Sequence, residues 1–200
     1  MKNKKIYTFL MLFLLFIFCI STKSHASNNE PSITSGSAIL LENSTSKVLF
    51  EKNMNEKLEP ASITKIMTAI LAIENCNLDD VVTVPYEAIS NIPSGYSVAP
   101  LQTDEQITVD QLLRVLMVHS ANDAANALAY HIDGSIPAFA ERMNAKLNAL
   151  GLKDSHFTNP SGQHDTNHYS TAHDIAILLQ YCMKNTTFKT YASLKSCQLS

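Results

Sequence analysis

The residues 62–65, Ser62-Ile63-Thr64-Lys65, put a hydroxyl and an amine three positions apart at the head of an apolar run. If that run is helical, positions three apart share a face, so the two groups come within reach of each other. A serine hydroxyl is a weak nucleophile until a neighbouring base removes its proton. A lysine serves as that base when burial lowers its pKa. Taken alone, the spacing favours a plainer arrangement, an N-capping serine followed by a surface lysine.

A second cluster shifts that balance. Ser120, Ala121 and Asn122 lie 58 residues after Ser62, between the apolar stretch 112–118 and another helical pattern. A short junction there could aim both side chains into a cleft. Ser120 would offer a second hydroxyl to relay a proton, and Asn122 a carboxamide to orient a substrate amide. Both residue types are also favoured N-caps, but that explanation weakens once a Ser-x-x-Lys stands upstream.

These groups need elements to hold them. Residues 37–41 and 47–51 are short apolar-rich runs around a polar turn, which predicts a hairpin. The Ser62 helix is expected to reach about Glu74, and residues 81–84 to form a short strand. Residues 85–107, with Pro85, Pro93, Gly95 and Pro100, suggest an irregular excursion. Thr108 and Gln111 form a capping-box pattern, opening a helix that ends near His119. Further helices are expected over 122–131, over 135–150 with Gly151 as its stop, and from the cap Thr171 to about Lys184. Asp123 is expected to fix the start of the second of these, and Met67, Met117 and Met143 to lie in the core.

Ser-x-x-Lys followed by a Ser-x-Asn is the motif order of class A β-lactamases and penicillin-binding proteins. Residues 34–195 resemble the D-alanyl-D-alanine carboxypeptidases of the low-molecular-mass penicillin-binding class, the serine peptidase S11 family. The resemblance rests on residues 60–69 and 120–129. It extends through Met143-Asn144-Ala145-Lys146, Leu150-Gly151-Leu152, His156-Phe157-Thr158-Asn159-Pro160 and His168-Tyr169-Ser170-Thr171-Ala172. It implies an α+β, β-lactamase/DD-peptidase-like (transpeptidase-like) domain with an N-terminal hairpin and a helical region. It also implies acyl transfer: Ser62 as nucleophile, Lys65 as base, Ser120 as proton relay and Asn122 as substrate holder. The implied partners are a peptidoglycan stem peptide ending in D-Ala-D-Ala and β-lactam antibiotics.

The departures are as specific. The family's Lys-Thr-Gly strand has no counterpart, since Lys189-Thr190 is followed by Tyr191 and falls at the end of the helical region. The family's returning C-terminal strands, later β-rich domain and amphipathic membrane anchor also have no counterpart here. Residues 36–200 are therefore expected to be an incomplete, truncated catalytic domain with impaired activity and a bare edge on residues 37–41. The alternatives are a non-catalytic penicillin- or cell-wall-peptide-binding remnant and a serine β-lactamase, the latter matched less well by residues 156–172.

Lys2, Lys4 and Lys5, the apolar residues 6–20 and Ser24-His25-Ala26 form an export signal over residues 1–26. The apolar run is shorter than the ~20 residues of a retained span, and Cys19 has no lipobox before it. Residues 27–35 are expected to be a flexible lead-in. Residues 1–26 carry four of the 15 Lys and Arg and none of the 18 Asp and Glu, leaving 11 against 18, a net charge of −7. That argues against a nucleic-acid partner. Cys76, Cys182 and Cys197 are odd in number and irregularly spaced, which is no disulfide framework. His164 and His168, with Asp165, fall short of the ligand number a metal needs, and Pro160 and Gly162 place them on a loop. Neither a metal nor a cofactor is expected. The protein is expected to act outside the cytoplasm, at the cell wall or the outer face of the cytoplasmic membrane.

Overall fold

The computed structural model describes residues 31–198. The export signal expected over residues 1–26 lies outside them, as do residues 27–30 of the expected lead-in. The chain divides into residues 1–34 and 35–200, and the second unit carries every element below. Among the described residues no helix is long and apolar enough to cross a membrane.

Strands β1 (Ala38–Leu41) and β2 (Val48–Lys52) form the expected antiparallel hairpin, from Ala38 opposite Lys52 to Leu41 opposite Val48. Its turn is organised by the Glu42 carboxylate, which accepts from the backbone N–H of Ser44 at 3.1 Å and of Thr45 at 2.7 Å. Among the described residues this hairpin is a two-stranded sheet of its own. A second small sheet pairs β3 (Val81–Thr83) with β4 (Gln106–Thr108). The excursion expected over 85–107 is thus partly ordered, with a short helix α2 (Tyr86–Ser90) and β4 inside it. Three- and five-residue elements are too short to show a periodicity.

The centre is α1 (Lys65–Asn75), preceded by a 3₁₀ turn over Ala61–Thr64. Lys65, Thr68 and the run from Met67 to Ala72 are all buried. A helix apolar on nearly every side must be enclosed by others, and α1 packs against α3 (Val109–His119), α4 (Asn122–Asp133), α5 (Ile136–Ala149), α6 (Ala172–Cys182) and α7 (Thr186–Ala192). Ala124, Ala125, Ala127 and Ala129 of α4 are fully buried, and their small side chains permit close approach.

The helix limits follow local chemistry. Thr108 closes its capping box with Gln111, whose N–H donates to Thr108 Oγ1 at 3.2 Å while its side chain accepts from Thr108 N at 3.0 Å. Ser135, Thr171 and Asn185 cap α5, α6 and α7 by accepting from Ala138, Asp174 and Phe188. Gly151 follows α5 at φ 76°, a left-handed stop. Lys189 and Thr190 sit in α7, not on a strand. Tyr191 fastens that helix to α3 by donating to Asp110 at 2.6 Å, beside the Arg114–Asp110 pair. Met67 and Met143 are fully buried and Met117 packs against the core. Cys182 is buried, Cys76 and Cys197 are half-buried, and all three are free thiols.

Candidate active site

Ser62 is exposed in the 3₁₀ turn, and Lys65, only 3% exposed, begins the helix behind it. Lys65 Nζ donates to Ser62 Oγ at 3.2 Å and to the Ser161 carbonyl at 2.8 Å. No carboxylate pairs with it among the described residues. Burial alone therefore acts on the amine, and pushes its pKa down to about 8. At that value roughly one amine in ten is neutral at pH 7, against roughly one in three thousand at the ordinary value. A neutral amine at hydrogen-bond distance from a serine hydroxyl is a base in place. The plainer arrangement, a capping serine with a surface lysine, is excluded: Ser62 makes no cap and Lys65 is buried.

The geometry is held from a loop about a hundred residues away in sequence. Pro160 and Ser161 present successive carbonyls to α1: Thr68 Oγ1 donates to the first at 2.6 Å and Lys65 to the second. Asn159 shapes this turn, its Oδ1 accepting from the N–H groups of Ser161, Gly162 and Gln163 at 3.2, 2.8 and 3.0 Å. Gly162, at φ 78°, lies so close to Ala61 that an added Cβ would fall 1.8 Å from the Ala61 carbonyl oxygen. Ala61 itself has φ 47°, a conformation that costs a non-glycine residue about 1–2 kcal/mol. The residue before Ser62 is thus strained, and Gly162 lies against its carbonyl.

His168 closes the arrangement. It is 3% exposed, stacks on Phe157 with ring centroids 5.1 Å apart, and bridges the loop to the turn. Its Nδ1 accepts from Thr158 N–H at 3.1 Å, so the proton of the neutral ring lies on Nε2, which donates to Thr64 Oγ1 at 2.8 Å. Burial pushes its pKa down to about 4. His164, in contrast, faces Glu59 at the surface. The two histidines converge on nothing, and no group of three or more metal-ligating side chains occurs among the described residues.

Ser120 and Asn122 occupy the α3–α4 junction. Ser120 is the left-handed C-cap of α3, at φ 56°, and Asn122 is the buried first residue of α4. Asn122 N–H donates to the Ser97 carbonyl at 2.9 Å, while the Asp123 carboxylate gathers the N–H groups of Ala99, Leu101 and Ala124. Asp123 therefore ties the 97–101 segment to the junction as well as starting the helix. Neither the Ser120 hydroxyl nor the Asn122 carboxamide has a hydrogen-bond partner among the described residues, and neither bonds Ser62 or Lys65 directly. The sequence motifs are thus present on adjoining helices, with only Ser62 and Lys65 in direct contact. Asn159, Ser161, Gly162 and His168 were not given roles from the sequence. The Asn-Pro-Ser-Gly turn signature was visible, but the partner of its carbonyls was not.

A family model for D-alanyl-D-alanine carboxypeptidases matches residues 24–199. The chain belongs to that family. It is 41% identical over 153 residues to D-alanyl-D-alanine carboxypeptidase DacF of Bacillus subtilis, covering 74% of this chain and 39% of that one. It is 35% identical over 177 residues to DacD of Escherichia coli, covering 82% of this chain and 46% of that one. The chain therefore spans less than half the length of these relatives. The crystal structure of penicillin binding protein 6B from Escherichia coli superposes with a TM-score of 0.81 at 33% identity, over 88% of this chain and 58% of that one. The fold is accordingly α+β and of the DD-peptidase type.

Proposed function

We propose that this protein is a serine-type D-alanyl-D-alanine carboxypeptidase that acts on peptidoglycan stem peptides. Ser62 attacks the carbonyl between the two terminal D-alanines and Lys65 takes its proton. Ser120 relays that proton from Lys65 to the leaving amine as the C–N bond breaks, and Asn122 holds the substrate backbone. Water then hydrolyses the acyl-enzyme at Ser62. The Ser62 N–H is one donor to the oxyanion, a kind of contact worth about 2.7–4 kcal/mol where a single donor has been removed. β-Lactams acylate the same serine because they mimic the substrate. The N-terminal export signal and a peptidoglycan substrate together support action outside the cytoplasm.

The observation that carries this reading is the buried amine 3.2 Å from the Ser62 hydroxyl, with no carboxylate partner among the described residues. Family membership supports the substrate class. Labelled penicillin followed by mass spectrometry tests the assignment, with D-alanine release from a pentapeptide ending in D-Ala-D-Ala run alongside. Lasting label on Ser62 with D-alanine release is the expected result. Rapid turnover of the label identifies a β-lactamase. An adduct on Ser120 overturns the nucleophile assignment, and no label identifies a non-catalytic chain.

A further inference from the structure

The 157–168 loop meets the Ser62 turn and α1 through two backbone carbonyls and one side chain, and that side chain is a titratable ring with no place in the acyl-transfer chemistry. His168 hydrogen-bonds neither Ser62 nor Lys65, so it is not a base for the serine. Its two nitrogens are nevertheless both committed, Nδ1 to the loop at Thr158 and Nε2 to the turn at Thr64. It is the direct side-chain tie between the loop that supplies the Ser161 carbonyl and the turn that supplies Ser62.

We propose that His168 is a positioning residue for the Ser62–Lys65 pair: as the neutral Nε2–H tautomer it fastens the 157–168 loop to the nucleophile turn and so keeps the Ser161 carbonyl on the Lys65 amine. This rests on the acyl-transfer reading above for its catalytic consequence, though not for its geometry. A second proton would have to enter at Nδ1, where the Thr158 N–H already points, so two donors would face each other and the tie would open. The ionisable groups that bear on the ring are Asp165 and Glu59, which favour its charged form, and His156, which disfavours it. Desolvation outweighs the two carboxylates, and the ring stays neutral until about pH 4. Across the neutral range the latch is closed.

The direct test is nitrogen-15 NMR on the full chain. The expected spectrum has His168 as the Nε2–H tautomer, titrating near pH 4, with the Gly162 amide and Lys65 side-chain signals moving at the same midpoint. In His168→Gln, which keeps a donor and an acceptor but cannot titrate, those coupled shifts vanish while the fold persists. An Nδ1–H tautomer, or Gly162 and Lys65 signals indifferent to the ring, overturns the proposal. Penicillin acylation is the second readout. His168→Ala slows it roughly 10²-fold, the scale of a misplacement of about 1 Å, Thr64→Val slows it in the same direction, and His168→Gln restores most of the rate at pH 7. Acylation of His168→Ala at the parent rate overturns the latch. A parent chain that penicillin does not label at Ser62 overturns the proposed function instead, and the coupled NMR shifts still decide His168.

Discussion

The two flanks of Ser62 are built on opposite terms. On one side the 157–168 loop meets α1 and the turn before it through buried polar contacts in which each donor has its acceptor: Lys65 to Ser161, Thr68 to Pro160, His168 to Thr64. On the other side the hairpin meets α6 across an open groove of about 360 Å³, whose walls include Ile39, Leu58, Pro60, Ile63, Ile175 and Leu179. Leu40 and Leu49 on that side are 54% and 55% exposed, and β1 pairs only with β2 among the described residues. The loop flank bears on the amine directly, because it supplies the Ser161 carbonyl that accepts from it. The hairpin flank contributes shape and apolar surface, and among the described residues no side chain of β1 or β2 hydrogen-bonds the Lys65 amine.

That contrast predicts a steep gradient of mutational effects. Lys65→Arg is expected to be the most severe change, since the guanidinium keeps its proton in proteins. Acylation by penicillin should fall 10²–10⁴-fold, the usual worth of a positioned general base, and a near-parent rate would remove Lys65 from the mechanism. Gly162→Ala comes next. Its Cβ has no room against the Ala61 carbonyl, so either the loop withdraws or the turn shifts. We expect a loss of about 3 kcal/mol in denaturant unfolding, the upper range for overpacking, with acylation lowered by about 10²-fold. Gly134→Ala is its control: its φ is also positive but its Cβ would meet nothing within 4 Å, so only the local backbone cost of about 1–2 kcal/mol applies.

Lys65 also leaves a mark on stability. Its folded pKa of about 8 lies below the unfolded value of 10.5, so between those values the unfolded chain holds more protons and stability rises with pH. Measured against Lys65→Met, the parent should gain about 3 kcal/mol between pH 8 and pH 10.5, at ~1.4 kcal/mol per pH unit of displacement. A flat difference would mean that the amine is not desolvated. The smallest effect is expected on the hairpin flank. Leu49→Lys should change unfolding free energy by no more than about 0.5 kcal/mol and leave the Lys65 midpoint where it was. A hairpin substitution that moved that midpoint would erase the distinction between the flanks.

The sequence announced the parts of this molecule that depend on near neighbours. The Thr108–Gln111 box, the Gly151 stop and the Thr171 cap each act within three or four residues, and each stands where its pattern put it. The Ser62–Lys65 contact was legible for the same reason. What stayed hidden is what joins distant segments. Nothing local to Pro160 or Ser161 says that their carbonyls will meet Thr68 and Lys65, and nothing local to His168 says that its partner is Thr64. The capping serine and surface lysine that the spacing alone favoured failed on burial, a property of the surrounding helices and not of the tetrapeptide.

The contacts that hold the Lys65 amine and the Ser62 turn in place join residues 96 and 104 positions apart in the chain. Closing loops of that span is among the slower and later steps available to a polypeptide. Until the loop docks, Lys65 is an ordinary hydrated ammonium and Ser62 an ordinary alcohol. Reactivity at this serine is therefore coupled to near-complete folding: a chain still being made, or one partly opened, carries the whole motif and attacks nothing.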